Sequence, residues 1–388
     1  MKIVVAPDSF KGSLNAVEAS NAIEKGIKRA SREAIIEKVP LADGGEGTAE
    51  TLVMATKGRQ KSVYVTGPLG EKVLANYGLL GDGKTCVIEM AQASGIGLVP
   101  KEQLNPLTAT TYGTGELIKH AIDDGYRDFI LALGGSATND GGAGMLQALG
   151  MRLLDDRGQE VPAGGEGLAS IRQIDMESFD PRIAACRFSI ASDVENPLVG
   201  PDGASYIFGP QKGATEEMVS LLDRSMKNWA NQIEKVTGIH LHDYPGAGAA
   251  GGIGGAFIAF FPAVWKRGID VVAEHTKLQY AMQDADLVIT GEGKVDVQTA
   301  SGKTAMGVTQ AAKKLNIPTV ILSGTVGSGF QALYDYGVIS VMSIIDRPMS
   351  LEEAMNETAS LLEKKTEQVI RMFFHEQISL EKAGGKTT

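Results

Sequence analysis

Short apolar segments followed by glycine-rich, acid-bearing loops recur along this chain and constrain its fold more than any other feature. The segment 2–6 (KIVVA) runs into PDSFKGS, and the segment 35–39 (IIEKV) runs into LADGGEG, each before a helical pattern. Strand-like runs alternate with helical patterns again at 286–290, 319–322 and 339–342. The order strand, loop, helix is typical of a parallel sheet, in which ligands bind at the carboxyl ends of the strands.

The stretch between these two parts has a different pattern. Residues 61–90 alternate in short runs broken by glycine, which predicts antiparallel hairpins. A length of 388 residues favours two domains. We therefore predict an α/β protein with a discontinuous parallel-sheet domain, residues 1–62 and 262–388. A mixed α/β domain, residues 63–261, interrupts it, and we expect the active site in the cleft between the two.

The charge balance excludes some classes of partner. The formal net charge is −10 and no basic stripe is present, which disfavours nucleic acid and anionic membranes as partners. No apolar stretch approaches the roughly 20 residues that a membrane-spanning helix needs. The chain also opens directly on a strand pattern without a signal sequence, so we expect a cytoplasmic protein.

The segment GGSATNDGG, residues 134–142, is the most informative loop. It follows the apolar run 129–133 and precedes a helical pattern, so backbone N–H groups and a helix dipole would face an anion. Its candidate substrate- or phosphate-binding residues are Gly134, Gly135, Ser136, Thr138, Asn139 and Asp140. Asp140 could alternatively hold a metal or a hydroxyl group. The alternative is a capped turn without a ligand, in which the glycines are needed only because a side chain would not fit.

The two loops near the amino terminus occupy equivalent strand ends. Their candidate site residues are Asp8, Ser9, Lys11 and Ser13 in the first loop and Asp43, Gly44, Gly45 and Glu46 in the second. Lys11 is a suitable point charge for a carboxylate or phosphate. Asp43 and Glu46 could bind Mg²⁺ or substrate hydroxyls. The alternative is helix capping, because Ser13 and Thr48 both stand where N-caps belong.

The late segment GEGKVD, residues 291–296, gives another glycine-flanked acid pair after a strand. Glu292 and Asp296 are candidate metal ligands, and Lys294 between them is a candidate for binding phosphate or substrate. Lys303, in SGKT at a predicted helix start, is a further phosphate candidate. This is not a P-loop, because Val297 stands where that motif needs glycine. A solvated loop is the alternative.

The segment SDVENP, residues 192–197, follows a strand-like run. Asp193 is the candidate for the group that accepts a hydroxyl proton from the substrate, and Asn196 is the candidate for positioning the substrate. The alternative is a turn formed by Asp and Asn before a proline.

The later hexad GAGAAG, residues 246–251, matches GxGxxG, but HDYP precedes it where a dinucleotide fold needs an apolar strand.

Taken in order, these motifs make the chain similar to the type-1 glycerate kinase family. The segments that carry the resemblance are APDSFKGS at 6–13, LADGGEGT at 41–48, VTGPLGEKV at 65–73, IEMAQASG at 88–95, TYGTGELI at 111–118, GGSATNDGGAGMLQALG at 134–150, SDVENPLVGPDGASYIFGPQKGA at 192–214, PGAGAAGGIGGA at 245–256 and VITGEGKVD at 288–296. The resemblance implies ATP-dependent phosphorylation of D-glycerate with Mg²⁺, and a fold with one flavodoxin-like domain. Two positions depart from the family, Lys294 and Tyr112, where the family often has arginine.

If the reaction is phosphoryl transfer, positioning and charge neutralisation supply most of the catalysis, and this suggests roles for the candidate residues. Mg²⁺, held by Glu292 and Asp296, would bridge the ATP phosphates, while Lys11 with Asp8 would act at the reacting groups. Asp193 would orient the hydroxyl that attacks, giving 2-phosphoglycerate or 3-phosphoglycerate. Two other functions stay open: a nicotinamide-dependent oxidoreductase acting on a hydroxy acid, and a non-catalytic module that binds a small acid.

Overall fold

The structure is a computed structural model that describes residues 1–297, 299 and 304–384. It divides into two compact units, the first made of Met1–Asp43 and the chain from Val272 onward, the second of Gly44–Val271. In the part of the chain so described, no helix is both long enough and apolar enough to span a bilayer.

The strands, numbered in chain order, are β1 Lys2–Val5, β2 Ile35–Lys38, β3 Arg59–Thr66, β4 Lys72–Leu79, β5 Thr85–Glu89, β6 Asp128–Ala132, β7 Arg152–Leu154, β8 Gln173–Asp175, β9 Arg187–Ala191, β10 Ala263–Lys266, β11 Leu287–Val295, β12 Thr319–Val326 and β13 Val338–Ser343.

The α-helices are α1 Ala16–Ala30, α2 Thr48–Ala55, α3 Ala91–Ser94, α4 Tyr112–Asp123, α5 Ala143–Ala148, α6 Ala204–Phe208, α7 Glu216–Thr237, α8 Ala249–Phe260, α9 Gly268–Thr276, α10 Leu278–Ala281, α11 Thr304–Lys314, α12 Leu351–Phe373 and α13 His375–Gly384.

The sheet of the first unit is parallel throughout, in the order β13-β12-β11-β1-β2. Counted within this unit alone, the order is 2-1-3-4-5, which is that of flavodoxin-like folds. The prediction of a discontinuous flavodoxin-like domain is therefore confirmed. The strand order reverses between β1 and β11, and ligands of doubly wound sheets bind outside the carboxyl ends of the strands at such a point.

Helices cover both faces of this sheet. Successive side chains of a strand point to opposite faces, and β12 shows the consequence. Val320 and Leu322 pack in a core with residues of α1 and α12, whereas Ile321 between them packs with residues of α11. Burial on both faces explains why the strands read as continuous apolar runs in the sequence.

The first helix begins later than the sequence suggests. Asn15 is its N-cap, in a capping box with Glu18: each side chain accepts the other residue's backbone N–H. The Ser13 hydroxyl instead donates to the backbone oxygen of Met355 at 2.5 Å and to the Thr358 hydroxyl at 2.7 Å. Ser13 therefore fastens the first loop to α12. Similarly, Gly47 is the N-cap residue of α2, and Thr48 is the first residue of that helix.

Strand β11 is longer than predicted. The segment GEGKV, expected as a loop, continues the strand, with Gly291 opposite Leu322 and Val295 opposite Val326 of β12. Strand β11 extends beyond its apolar run because its backbone continues to pair with β12. Glu292 and Lys294 are therefore strand residues, and Asp296 follows the strand directly.

The second unit has a six-stranded mixed sheet in the order β10-β9-β6-β5-β4-β3. The predicted hairpins are present, since β4 pairs antiparallel with both β3 and β5, while the pairs from β5 to β10 are parallel. Strands β3 and β10 pair within this sheet. Their pairing explains why the boundaries of this unit lie outside residues 63 and 261, the limits expected from the sequence.

Candidate active site

Three polar residues of the first unit form a group after β1 and β2. The ammonium nitrogen of Lys11 lies 3.1 Å from a carboxylate oxygen of Asp43, and the Lys11 side chain is 74 % exposed. Asp8 is almost fully buried, and its backbone N–H donates to the backbone oxygen of Gly291 in β11 at 2.8 Å. This hydrogen bond fixes Asp8 beside the start of the GEGKV segment, at the switch point of the sheet.

The charges in this group act on one another. Burial, and to a lesser degree the neighbouring Asp43, raises the pKa of Asp8 to about 6. Burial disfavours the Lys11 ammonium, but the carboxylates of Asp43, Asp8 and Glu292 outweigh burial and raise the pKa of Lys11. We refer to Asp8, Lys11, Asp43 and Glu292 as the acid–lysine cluster. It contains three acids and one base, and therefore has the oxygen donors that Mg²⁺ prefers.

Two hydrogen bonds hold the Asp8 carboxylate. The backbone N–H of Ser9 donates to one oxygen and the hydroxyl of Thr304, the first residue of α11, donates to the other, both at 2.6 Å. Ser9 thus contributes its backbone N–H to this group, and its side chain is half-buried. Lys303, the residue before Thr304, lies outside the described residues.

Asp296 and Lys294 pair with each other at 2.9 Å, and the Asp296 side chain is largely buried. Residues four apart along an extended strand are separated by about 13 Å. A metal ion shared by Glu292 and Asp296 therefore stays a prediction. The charge of Glu292 acts on the Lys11 ammonium, which places Glu292 with the acid–lysine cluster.

In the second unit, two glycine-rich loops come into direct contact. A Cβ on Gly134 would lie 2.9 Å from the Cα of Gly45, and a Cβ on Gly44 would lie 3.0 Å from the backbone oxygen of Ala191. The loop at 44–46 therefore lies against the carboxyl ends of β6 and β9. Glu46 is exposed there, and its charge acts on the buried Glu89 at the end of β5.

Asp140 is fully buried and holds the 134–142 loop together. Its carboxylate accepts hydrogen bonds from the backbone N–H and the hydroxyl of Thr111, both at 2.8 Å, and from the N–H groups of Gly142 and Gly144. These bonds join the starts of α4 and α5. Burial raises the pKa of Asp140. Four donors already surround this carboxylate, which gives Asp140 a structural role in place of the metal or hydroxyl binding considered above.

Ser136 and Thr138 of the same loop are also buried, and they share one cation. The ammonium nitrogen of Lys212 donates to the Ser136 hydroxyl oxygen at 2.7 Å and to the backbone oxygen of Thr138 at 2.6 Å. Lys212 is itself fully enclosed, at 1 % exposure. Burial lowers the pKa of Lys212 to about 7, although the charge of Asp140 opposes this change.

Two polar atoms of the loop are buried and have no hydrogen-bond partner within the described part of the chain, the Thr138 hydroxyl oxygen and the Asn139 amide oxygen. The Asn139 amide nitrogen is 2.9 Å from the Ser205 hydroxyl. An unpaired buried polar group costs about 1–3 kcal/mol. A polar ligand that supplies an acceptor for Thr138 and a donor for Asn139 would remove this cost.

The GAGAAG hexad supports the same loop from behind. The backbone N–H of Gly141 donates to the backbone oxygen of Gly251 at 3.0 Å, and a Cβ on Gly251 would lie 2.0 Å from the backbone oxygen of Thr138. Gly251 also has a φ of +73°, which a side chain would strain. Turns and not a strand precede the hexad, so its glycines serve close backbone packing, as the sequence context indicated.

Asp193 follows β9 and is exposed, with one carboxylate oxygen accepting the N–H of Gly268 at 3.2 Å. Asn196 makes other contacts: its amide nitrogen donates to the backbone oxygen of Asp202 at 2.9 Å, and its backbone oxygen accepts the N–H of Gly248. Asn196 therefore stabilises its own turn.

Sequence reasoning missed Lys212 and Glu89. Glu89 is buried at the end of β5, where it accepts the N–H of Ala49 at 2.7 Å at the start of α2. Burial raises the pKa of Glu89, partly offset by hydrogen bonds from the N–H groups of Ala49 and Gly47. A charged residue within an apolar or glycine-rich run, as in TCVIEM and GPQKGA, was the available signal for both.

Comparison with known proteins identifies the family. The model of the glycerate kinase family matches residues 3–374. The chain belongs to the glycerate kinase family. The family resemblance noted from the sequence motifs is thereby confirmed, and members of this family are kinases. Membership concerns the chain as a whole, because the match spans nearly all of it.

Several members of the glycerate kinase family are about half identical to this chain. A glycerate kinase from Halalkalibacterium halodurans is 49 % identical over 367 residues, covering 95 % of this chain and 97 % of the relative. A glycerate 2-kinase from Escherichia coli K12 is 48 % identical over 354 residues, covering 91 % and 93 %.

A solved structure agrees with the fold. The crystal structure described as glycerate kinase 2 from Salmonella typhimurium LT2 has a TM-score of 0.86 and 46 % identity, covering 100 % of this chain and 99 % of that protein.

Proposed function

We propose that this protein is an ATP-dependent glycerate kinase, which transfers the γ-phosphoryl group of ATP to a hydroxyl of D-glycerate and releases ADP. The observation that carries the proposal is the acid–lysine cluster at the switch point of a flavodoxin-like sheet, in a chain 48–49 % identical to proteins named glycerate kinase. Catalysis of phosphoryl transfer consists mainly of positioning and charge neutralisation. Clustered acids around one lysine suit that task.

Asp8, Asp43 and Glu292 would hold Mg²⁺. Asp8 and Asp43 follow β1 and β2, and Glu292 lies in the neighbouring β11. Mg²⁺ binds through a few carboxylates together with phosphate oxygens. When bound, the ion neutralises charge on the phosphate oxygens of ATP. This set differs from the pair of Glu292 and Asp296 expected from the sequence, because the charges of Asp8, Asp43 and Glu292 all act on Lys11. The Lys11 ammonium, exposed beside the carboxylates, would neutralise charge on the transferred group.

The loop at 134–142 would bind the glycerate carboxylate and hydroxyl groups. The unpartnered Thr138 hydroxyl is suited to donate to a carboxylate, and the unpartnered Asn139 amide oxygen is suited to accept from a hydroxyl. Lys212 lies beneath them and would act as a positioning residue. Its ammonium fixes Ser136 and Thr138 and gives the loop a positive potential toward an anion.

Asp193 would orient the attacking hydroxyl and accept its proton. Two features support this role: its carboxylate is exposed at a strand's carboxyl end, and the Gly268 N–H donates to one of its oxygens. A general base must reach the proton that it accepts, and an exposed carboxylate held by a hydrogen bond is suited to that task.

We propose the 2-hydroxyl of glycerate as the acceptor, because the family includes the glycerate 2-kinase of E. coli K12 at 48 % identity. Phosphorus NMR of the product from D-glycerate and MgATP tests both levels of the proposal. A 2-phosphoglycerate resonance supports it in full. Formation of 3-phosphoglycerate would contradict the acceptor position only, and the absence of any Mg²⁺-dependent phosphorylated product would overturn the kinase assignment.

The two rival functions are weaker. The GAGAAG hexad, which alone favoured a nicotinamide enzyme, packs against the 134–142 loop and follows turns. Quenching titrations would separate the classes, since an oxidoreductase binds NADH and the proposed kinase binds ATP analogues. A simple binder of an anion gains little from three clustered carboxylates, and it would release no ADP from ATP in the presence of glycerate.

A further inference from the structure

Two histidines and a glutamate form a cluster at the end of α7, separate from the residues discussed above. Helix α7 ends at Thr237, where Gly238 has a φ of +74° and its N–H donates to the backbone oxygen of Glu234 at 2.8 Å. The chain turns back there and buries Leu241 completely. His240 and His242 stand on either side of Leu241, the first exposed and the second half-buried, and their imidazole rings stack at 4.4 Å.

The potential ligand atoms of this cluster are close together. The Nδ1 atom of His240 lies 3.1 Å from a carboxylate oxygen of Glu234. One ligand atom from each of Glu234, His240 and His242 falls within 4.8 Å of the others. Asp243 approaches the second nitrogen of His240 at 3.7 Å. Small local movements would bring three ligand atoms to the spacing that a single metal ion requires.

Neighbouring side chains select the state of His242 that binds a metal. The Nε2 atom of His242 lies 2.8 Å from the Oδ1 atom of Asn231, which can only accept, so Nε2 carries the hydrogen. The lone pair therefore belongs to Nδ1, a buried atom that has no hydrogen-bond partner among the described residues. Metal-binding histidines typically donate their other N–H to an oxygen in this way.

We propose that Glu234, His240 and His242 bind one divalent transition-metal ion of the zinc class. Two imidazoles and a carboxylate are three protein ligands of a tetrahedral site, with the fourth position left to water. Imidazole favours Zn²⁺, Ni²⁺ or Cu²⁺, whereas Mg²⁺ takes oxygen ligands. The site is thus chemically distinct from the carboxylate cluster of the first unit.

The proposed ion would stabilise the support of the 134–142 loop. Helix α7 carries Trp229, whose indole N–H donates to the backbone oxygen of Gly141 at 3.0 Å. The segment after His242 leads directly into the glycine hexad that packs against the same loop. A metal joining the end of α7 to this segment would tie the two supports together. Its role would be structural, because none of its ligands belongs to the proposed reacting groups.

Isothermal titration of the EDTA-treated, full-length protein with ZnCl₂ tests the proposal, with MgCl₂ as the comparison ion. One Zn²⁺ per chain and an increase in Tm are expected, with no comparable response to Mg²⁺. His240→Ala and His242→Ala should each abolish this binding, while the control His120→Ala, an exposed histidine on α4, should retain it. Zinc binding that is absent, or that persists in both histidine variants, would overturn the proposal.

Asn231→Leu provides a test that leaves all three ligands in place. Removal of the acceptor for the His242 N–H should weaken Zn²⁺ binding by about 10–100-fold, which is typical for the partner of a ligating histidine. Circular dichroism of each variant checks its fold. A folded Asn231→Leu variant with unchanged zinc affinity would contradict the tautomer argument and with it the proposed ligand set.

Discussion

The ammonium group of Lys212 lies 2.7 Å from the hydroxyl oxygen of Ser136, in a position that solvent does not reach. A lysine enclosed in this way is rare unless it is paired or has a function. Its other acceptor is the backbone oxygen of Thr138, and the negative charge of Asp140 favours the protonated form of the lysine. The cation therefore belongs to the glycine-rich loop, although 70 residues separate them in the sequence.

Substitution of Lys212 tests this relationship through the pH dependence of catalysis. Because burial lowers the pKa of Lys212 to about 7, the ammonium form is lost as pH rises through that value. We expect kcat/KM of the free enzyme to fall above about pH 7, and Lys212→Met to reduce kcat/KM by about 10²-fold at pH 6.5.

The Lys212→Met variant should also lack the decline above pH 7, since it has no proton to lose. A merely structural lysine would leave the shape of the profile unchanged. A decline that persists with the same midpoint in Lys212→Met would assign it to another group.

Asp8→Asn should increase stability while it reduces activity. The pKa of Asp8 is about 6 in the folded protein against 3.8 as its ordinary value, so the folded state holds a proton that the unfolded state has lost between about pH 4 and pH 6. Stability therefore falls as pH rises through this window, by about 3 kcal/mol at most. This decrease in stability with rising pH should be absent from Asp8→Asn.

Urea unfolding at pH 4, 5, 6 and 7, in buffer with EDTA and without divalent metal, measures this difference. We expect the variant to gain stability relative to the natural protein as pH rises. Parallel stability curves for the two proteins would show that the Asp8 carboxyl is not destabilised by its burial. The activity of Asp8→Asn should fall by about 10²-fold, in keeping with a place among the metal-binding acids.

Glu292→Gln and Asp296→Asn should separate the two candidate acids of β11. Glu292 acts on the Lys11 ammonium, whereas Asp296 pairs with Lys294. We expect Glu292→Gln to raise the Mg²⁺ concentration required for half-maximal rate by about 10-fold or more, and Asp296→Asn to change it much less. Mg²⁺ titrations of the initial rate provide the measurement. Equal effects would restore the pairing suggested by the sequence.

Asp193→Asn should lower kcat by about 10²-fold or more while the fold survives. The amide oxygen of asparagine can still accept the Gly268 N–H, so the loop after β9 keeps its hydrogen bond. Initial rates with saturating MgATP and glycerate, together with an unchanged Tm, provide the test. Asn196→Ala is the matched comparison, and near-normal turnover of Asp193→Asn would remove it from the proposed role.

The parallel sheet and the positions of most elements were predictable from the sequence alone. Strands β1, β2 and β6 lie within one or two residues of the predicted segments. The apolar pattern of β1 and β6 is local, since burial on both faces requires consecutive apolar side chains, whereas β2 is largely exposed at the edge of its sheet. The end of β11 was not predictable, because Gly291 to Val295 is a strand only through pairing with β12.

The candidate site divides in the same way. Acids at the ends of strands were visible in the sequence because a parallel sheet brings those ends to one edge, and in the first unit the charge of Asp43 acts on Asp8. Only the tertiary structure decided which polar residues are already satisfied. Asp140 is surrounded by four donors, Ser13 is bound to α12, and Lys212 lies under a loop far away in sequence. Hydrogen-bond partners and burial depend on long-range packing, which local sequence does not encode.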